Sequence, residues 1–257
     1  MPDFIPNRIV ALLTDFGLSD PYVAVMKAVI LQRAPSVTFV DISHEVPPQD
    51  LWAGAWILRQ AFSWFPQGTI FLVVVDPGVG TDQQKLAVSC AGRVLIGPDN
   101  GVLSLVYQEP LEAYALPTPP DASSTFHGRD LYARAVADLL TGAPLFSLGS
   151  PTHPTVRFTI PSPQSVAGGF QAEVVYVDRF GNLITNLEVR HVGNASPKAV
   201  ELGDHRIPFV RRYADVEPGE PLALWGSFGQ LEISIRDGNA AEVFHAQRGT
   251  PIKVILI

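Results

Sequence analysis

The chain has 257 residues, enough for one large domain or two modest ones. Hydrophobic residues make up 47% and charged residues 17%, a balance that supports a packed core and excludes a disordered polyelectrolyte. The net charge of −7, with 18 basic residues scattered along the chain, argues against a nucleic-acid partner, which needs clustered Lys and Arg. The opening Met1-Pro2-Asp3-Phe4 has neither a basic nor an apolar leader segment, and no apolar run is long enough to span a membrane. A soluble, cytoplasmic protein is expected.

Arg8 to Leu13 reads as a buried strand ending at Thr14-Asp15-Phe16-Gly17, and Tyr22 to Arg33 carries apolar residues at helical spacing. Val37 to Ile42 is a second strand. Asp50 to Phe65 is a helix, capped by Gln49-Asp50 and stopped by Pro66-Gln67-Gly68. Thr69 to Val75 is the strongest strand; a continuous apolar run of this kind means burial on both faces. The single cysteine, Cys90, lies in another apolar run and excludes an internal disulfide or cysteine metal cluster. Arg93 to Ile96 leads into Gly97-Pro98-Asp99-Asn100-Gly101, after which a helix is expected, and a further helix runs from about Leu131 to Leu140.

The proline-rich stretch 150–169 reads as a linker between a first domain, 1–149, and a second, 170–257. In the second domain, short strands recur with turn signals: Gln171 to Val177, Leu183 to Leu187, Leu222 to Leu224, Leu231 to Ile235 and Ile252 to Ile257. The expected fold is an α/β N-terminal domain with a mostly parallel sheet sandwiched by helices, followed by an all-β C-terminal barrel or sandwich.

Ligands of open parallel sheets bind beyond the carboxyl ends of the strands, which singles out Asp15, Asp41 and Asp76. Asp76 is the sharpest: it follows seven apolar residues and opens Asp76-Pro77-Gly78-Val79-Gly80, where the glycines let backbone approach a ligand. A solvent-facing turn is the plain alternative. Neither a P-loop nor a dinucleotide fingerprint is present. The six histidines show no zinc spacing. His127, in Phe126-His127-Gly128-Arg129-Asp130, precedes a helix where backbone donors are free, although a capping turn would look the same. In the second domain, Asp178-Arg179-Phe180-Gly181-Asn182 and the loop from Ser227 to Ile233 place an aromatic beside polar groups, as hairpins or an adenine pocket would.

Taken together these blocks resemble the S-adenosylmethionine hydrolases, relatives of the fluorinase and chlorinase. The matching segments run in order: Thr14-Asp15-Phe16-Gly17 with Asp20, Asp76 to Gly80, Gly97 to Gly101, and Phe126 to Asp130. Phe180-Gly181-Asn182 with Thr185-Asn186, Ser227 to Glu232 and Asn239-Ala240-Ala241 follow, so the likeness spans nearly the whole chain. The resemblance implies hydrolysis of S-adenosylmethionine to adenosine and methionine, without metal or cofactor, in a homotrimer with active sites between adjacent subunits. It implies that Asp76 and His127 act on the water, that Asp15 holds the ribose hydroxyls, and that Asp20 lies near the methionine amino group. Asp178, Asn182, Ser227 and Glu232 would line the adenine and methionine side from the neighbouring subunit, with the backbone near Ala240 at the adenine edge.

The halogenases lack the Asp and His found here at Asp76 and His127, and the fluorinase carries a long insertion after the Asp76 block that this chain does not have. Water is therefore the expected nucleophile. One position departs from the hydrolases: seven residues after Asp76, where they carry an arginine, stands Gln83, a neutral third member of the catalytic set. A weakly active or silent S-adenosylmethionine-binding protein and a halide-dependent adenosyltransferase are the alternatives.

Overall fold

A computed structural model describes residues 4–256. The chain forms two compact units, divided between Thr159 and Ile160. The first unit is built on seven strands: β1 (Ile9–Thr14), β2 (Thr38–Ser43), β3 (Ile70–Val74), β4 (Lys85–Cys90), β5 (Arg93–Pro98), β6 (Glu112–Ala115) and β7 (Ser150–Thr152). They form one sheet in the order β2-β1-β3-β5-β4-β6-β7. The strands β2, β1, β3 and β5 run parallel, whereas β4, β6 and β7 add antiparallel pairs.

The sheet is therefore mixed rather than mostly parallel, and the reason is local. Cys90 and Arg93 are separated only by Ala91-Gly92, both at positive φ, so β4 and β5 close as a hairpin. A parallel return would need a crossover of a dozen residues or more.

Three helices cover this sheet: α1 (Tyr22–Leu31), α2 (Leu51–Phe62) and α3 (Ala133–Leu140). Met26 and Ile30 of α1 and Val136 and Leu139 of α3 share a core with Val10, Leu12, Ile70 and Leu72 of the sheet. Residues alternate faces along a strand, so Phe71, between Ile70 and Leu72, points the other way. There it meets Phe62 of α2, the ring centroids 5.0 Å apart. The carboxylate of Asp50 caps α2 by accepting from Ala53 N at 2.9 Å. Where a helix was expected after Gly101 there is only a short 3₁₀ turn, Ser104–Val106. Its Ser104 hydroxyl donates to Gly101 O and accepts from Phe158 N, which ties the turn to the segment beyond β7.

The second unit holds β8 (Gln164–Val166), β9 (Gly169–Val177), β10 (Leu183–Glu188), β11 (Pro197–Leu202), β12 (His205–Pro208), β13 (Pro221–Trp225), β14 (Gln230–Ile235) and β15 (Pro251–Leu256). Two single-turn helices, α4 (Val189–Val192) and α5 (Ala240–Val243), interrupt it. The strands are antiparallel in the order β12-β11-β15-β9-β10-β14-β13, with β8 on β9. The two ends of this path meet, because Phe209 bridges Ala223 and Val210 N donates to Ala223 O at 2.8 Å. The sheet thus closes to a near-barrel around Val174, Leu187, Val200, Leu231, Ile233 and Val254. The proline-rich stretch 150–169 supplies β7 to the first sheet and β8 to the second. Among the described residues no helix is long and apolar enough to cross a membrane.

Candidate active site

The parallel registers set the first cluster. Leu13 pairs with Ser43 and Thr14 with Val74, so β2, β1 and β3 release their chains side by side at the carboxyl edge. Asp15 follows β1 there, and Asp76 lies two residues beyond β3. The Asp15 carboxylate accepts from Gln49 N at 2.9 Å, fastening the loop after β1 to the entry of α2. Asp41 is taken up elsewhere: Lys27 Nζ lies 2.7 Å and His44 Nε2 3.1 Å from its oxygens, and His44 Nδ1 sits 2.8 Å from the buried Thr14 hydroxyl. Asp20 is exposed on the loop before α1.

Asp76 and Gln83 meet, and the His127 ring lies within electrostatic reach of Asp76. The stretch from Asp76 to Gln83 folds back on itself through Val79 N to Asp76 O and Thr81 N to Gly78 O, both 3.2 Å. That return delivers Gln83 Nε2 to Asp76 Oδ1 at 2.9 Å. The buried Tyr132 hydroxyl donates to Asp76 Oδ2 at 3.3 Å. Burial pushes the Asp76 carboxyl above its ordinary 3.8, against the pull of the Gln83 and Tyr132 donors, the His127 ring and Gly78 N–H. Asn100, from the block after β5, is also buried, and its amide donates to Val75 O at 2.8 Å, fixing the backbone just before Asp76.

His127 is 3% exposed and its Nδ1 has no protein partner. Burial, then the positive charge of Lys85, holds its pKa below the ordinary 6.5, while Asp76 and Asp130 pull the other way. The ring is therefore neutral at physiological pH. Asp130, three residues on, is fully engaged: it accepts from Arg129 at 2.6 and 2.7 Å and from Ser123 N at 2.9 Å. This anchors the turn that carries His127. Beside it Phe16, Tyr22 and Phe126 form an aromatic cluster with centroids 5.3 to 6.1 Å apart. Gly128 lies against Met26, whose sulfur would be 2.8 Å from any added Cβ.

The second unit gathers another polar cluster. Asp178 accepts from Phe180 N at 2.9 Å, Asn182 N at 2.8 Å and Asn182 Nδ2 at 2.9 Å, closing the β9–β10 loop. Gly181 O accepts from Ala241 N at 2.9 Å, joining that loop to α5, where Ala240 is wholly buried. Glu232 is 7% exposed and accepts from Ser234 Oγ at 2.8 Å and from the Tyr213 hydroxyl. Ser227 is exposed on the loop between β13 and β14, next to Phe228. Phe180 and Phe228 present large exposed rings, 76% and 51% accessible.

Three residues escape the sequence reading: Tyr132, Tyr213 and Asn100 as a backbone anchor. Only Tyr132 left a trace, because a tyrosine inside an apolar helical face needs a partner for its hydroxyl.

Comparison with known proteins agrees with this division. The SAM hydroxide adenosyltransferase N-terminal domain matches residues 10–149, and the corresponding C-terminal domain matches residues 172–253. A protein of Thermus thermophilus named (R)-S-adenosyl-L-methionine hydrolase is 41% identical over 264 residues, covering 96% of this chain and all of the relative. One of the same name from Salinispora tropica is 35% identical, covering 97% of this chain and 98% of the relative. A fluorinase of an Actinoplanes species is 29% identical, covering 96% and 97%. The crystal structure of an uncharacterised conserved protein from Thermotoga maritima superposes with a TM-score of 0.86 at 33% identity, covering 96% of this chain and 99% of that one. Both family domains match in order, and two relatives covered over nearly their whole length are 41% and 35% identical, so this chain belongs to the SAM hydroxide adenosyltransferase family.

Proposed function

We propose that the chain hydrolyses (R)-S-adenosyl-L-methionine to adenosine and L-methionine, the sulfur configuration being that in its relatives' names. One observation carries the chemistry: a partly buried carboxylate, Asp76, held by a side-chain donor on each oxygen and lying within electrostatic reach of the neutral, buried His127. A buried ring nitrogen without a protein partner suits a water or ligand contact.

In this reading a water oxygen attacks ribose C5′ in line with sulfur. The new C5′–O bond forms as the C5′–S bond breaks, and its electron pair neutralises the sulfonium to the thioether of methionine. The leaving group needs no proton, so the protein's task is to orient the water and accept its proton. Asp76 takes that proton, and His127 orients the water. Asp15 holds the ribose hydroxyls, and Asp20 the methionine ammonium. Asp178, Asn182, Ser227, Glu232 and the backbone at Ala240 serve the adenine and methionine ends from a neighbouring subunit of a homotrimer. Exposed aromatic rings beside buried polar groups are the kind of surface a partner covers. Light scattering should give three times the mass of one chain, 27.8 kDa; a monomer at assay concentration would contradict the shared site. The lone unpaired thiol, Cys90, accords with a cytoplasmic setting.

The deciding experiment supplies each sulfur epimer in ¹⁸O-water, with and without halide. Adenosine carrying one ¹⁸O at the 5′ position, formed without halide, is the expected product. Tight binding without product, or a 5′-halogenated adenosine, would contradict the hydrolase.

A further inference from the structure

We infer that Tyr132 is a positioning residue for Asp76, sharing with Gln83 the task of fixing the carboxylate by neutral side-chain donors, one to each oxygen. The inference rests on Asp76 as the base in the reaction above, and it goes beyond that reading by adding a residue outside the substrate contacts.

The local backbone supports it. In an α-helix, at 3.6 residues per turn, positions five apart point roughly 140° away from each other. His127 and Tyr132 are five apart, yet Tyr132 hydrogen-bonds Asp76 and the His127 ring feels its charge. Between them the chain makes a wide π-turn, Gly128–Tyr132, in which Ala133 N donates to Gly128 O. A π-turn swings residues five apart back toward one face. The wide turn thus lets one segment hold the Tyr132 hydroxyl on the carboxylate and keep the His127 ring within electrostatic reach of it.

Packing then removes Tyr132's freedom. It is 0% exposed and lies in the apolar core with Leu12, Met26, Leu72 and Val136. A phenol buried there cannot exchange its partner for water, so its hydroxyl stays on Asp76. A phenylalanine would fill the same space. What the hydroxyl adds is an anchor on Oδ2, beside the Gln83 bond to Oδ1 and the Gly78 N–H contact.

Neutral anchors also differ from a charged one. A guanidinium at position 83 would pair with Asp76 and stabilise its ionised form strongly, weakening it as a base. Gln83 and Tyr132 fix the group while leaving it more basic.

The test is Tyr132→Phe, assayed against wild type for kcat, KM and pH dependence. A fall in kcat of about five- to tenfold is expected, the worth of one hydrogen bond, with KM little changed. The acid limb of kcat/KM should move to higher pH, because ionised Asp76 loses a donor. Adding Tyr132→Phe to Asp76→Asn should cost little more. An unchanged kcat and acid limb in an active, folded Tyr132→Phe would overturn the inference. If wild type itself showed no turnover, the hydrolase reading would fail instead. Infrared titration of the Asp76 carboxyl, assigned by difference from Asp76→Asn, would still decide: an upward shift in Tyr132→Phe supports the anchor, and no shift refutes it.

Discussion

Asp76→Asn is expected to lower kcat by about 10²–10⁴-fold, the usual contribution of a general base, while S-adenosylmethionine binding changes little. The substitution keeps size and leaves Gln83 and Tyr132 in place but removes the proton acceptor. His127→Gln should fall in the same direction by a smaller factor, because it removes orientation rather than the base. The pH dependence has a defined sign. Activity needs Asp76 ionised and His127 neutral. Burial raises the first above 3.8 and lowers the second below 6.5, so both required forms are present at neutral pH. The rate should be full there and fall as pH drops through these two titrations, with no alkaline limb from this pair. Steady-state kinetics of both variants, with calorimetry for binding, check this. Full activity in both would falsify the assignment of the pair.

Gly80→Ala is expected to cost comparable activity without touching a reacting group. Gly80 sits at φ +82°, and a Cβ there would lie 2.4 Å from Ser124 O. The Asp76–Gln83 loop and the segment leading to His127 are thus pressed together backbone to backbone. An added methyl must separate the two strips of chain that carry Asp76 and His127, and a misplacement of about 1 Å can cost on the order of 10²-fold in rate. Strain at the left-handed φ adds a stability cost of roughly 1–2 kcal/mol. Gly142→Ala is the control: φ is +99° but nothing lies within 4 Å of the added Cβ, so it should carry strain without lost activity. Kinetics together with thermal melts separate the two effects. Wild-type turnover in Gly80→Ala would show that the loop spacing does not matter.

The legible parts of the fold are those with one dominant local cause. Thr69 to Val75 reads as a strand buried on both faces, and β3 lies inside the sheet, paired with β1 and β5. Asp50 announced α2 because a capping carboxylate acts within one turn. The parallel half of the sheet was legible for the same reason. The antiparallel half was not, since Ala91-Gly92 is a weaker hairpin signal than Asn-Gly and its effect shows only in the backbone φ values. Strands β11 and β12 were missed because Lys198, Glu201, His205 and Arg206 break their apolar pattern. Strand β11 is held by β15, distant in sequence, and β12 follows by pairing back on β11.

The site divides along the same line. Sequence by itself determined that acidic residues would stand where parallel strands end; that Gln83 stands in an arginine's place is what the resemblance to the hydrolases implies. The first fact is local, fixed by residue type and by burial along a single segment. Only the tertiary structure decided what surrounds Asp76. Gln83 reaches it through a turn, and Tyr132 comes from a segment 56 residues away. Asn100 holds the preceding carbonyl from across 25 residues. Such contacts depend on how separate elements pack, and side-chain periodicity carries no record of which distant hydroxyl will face a given carboxylate.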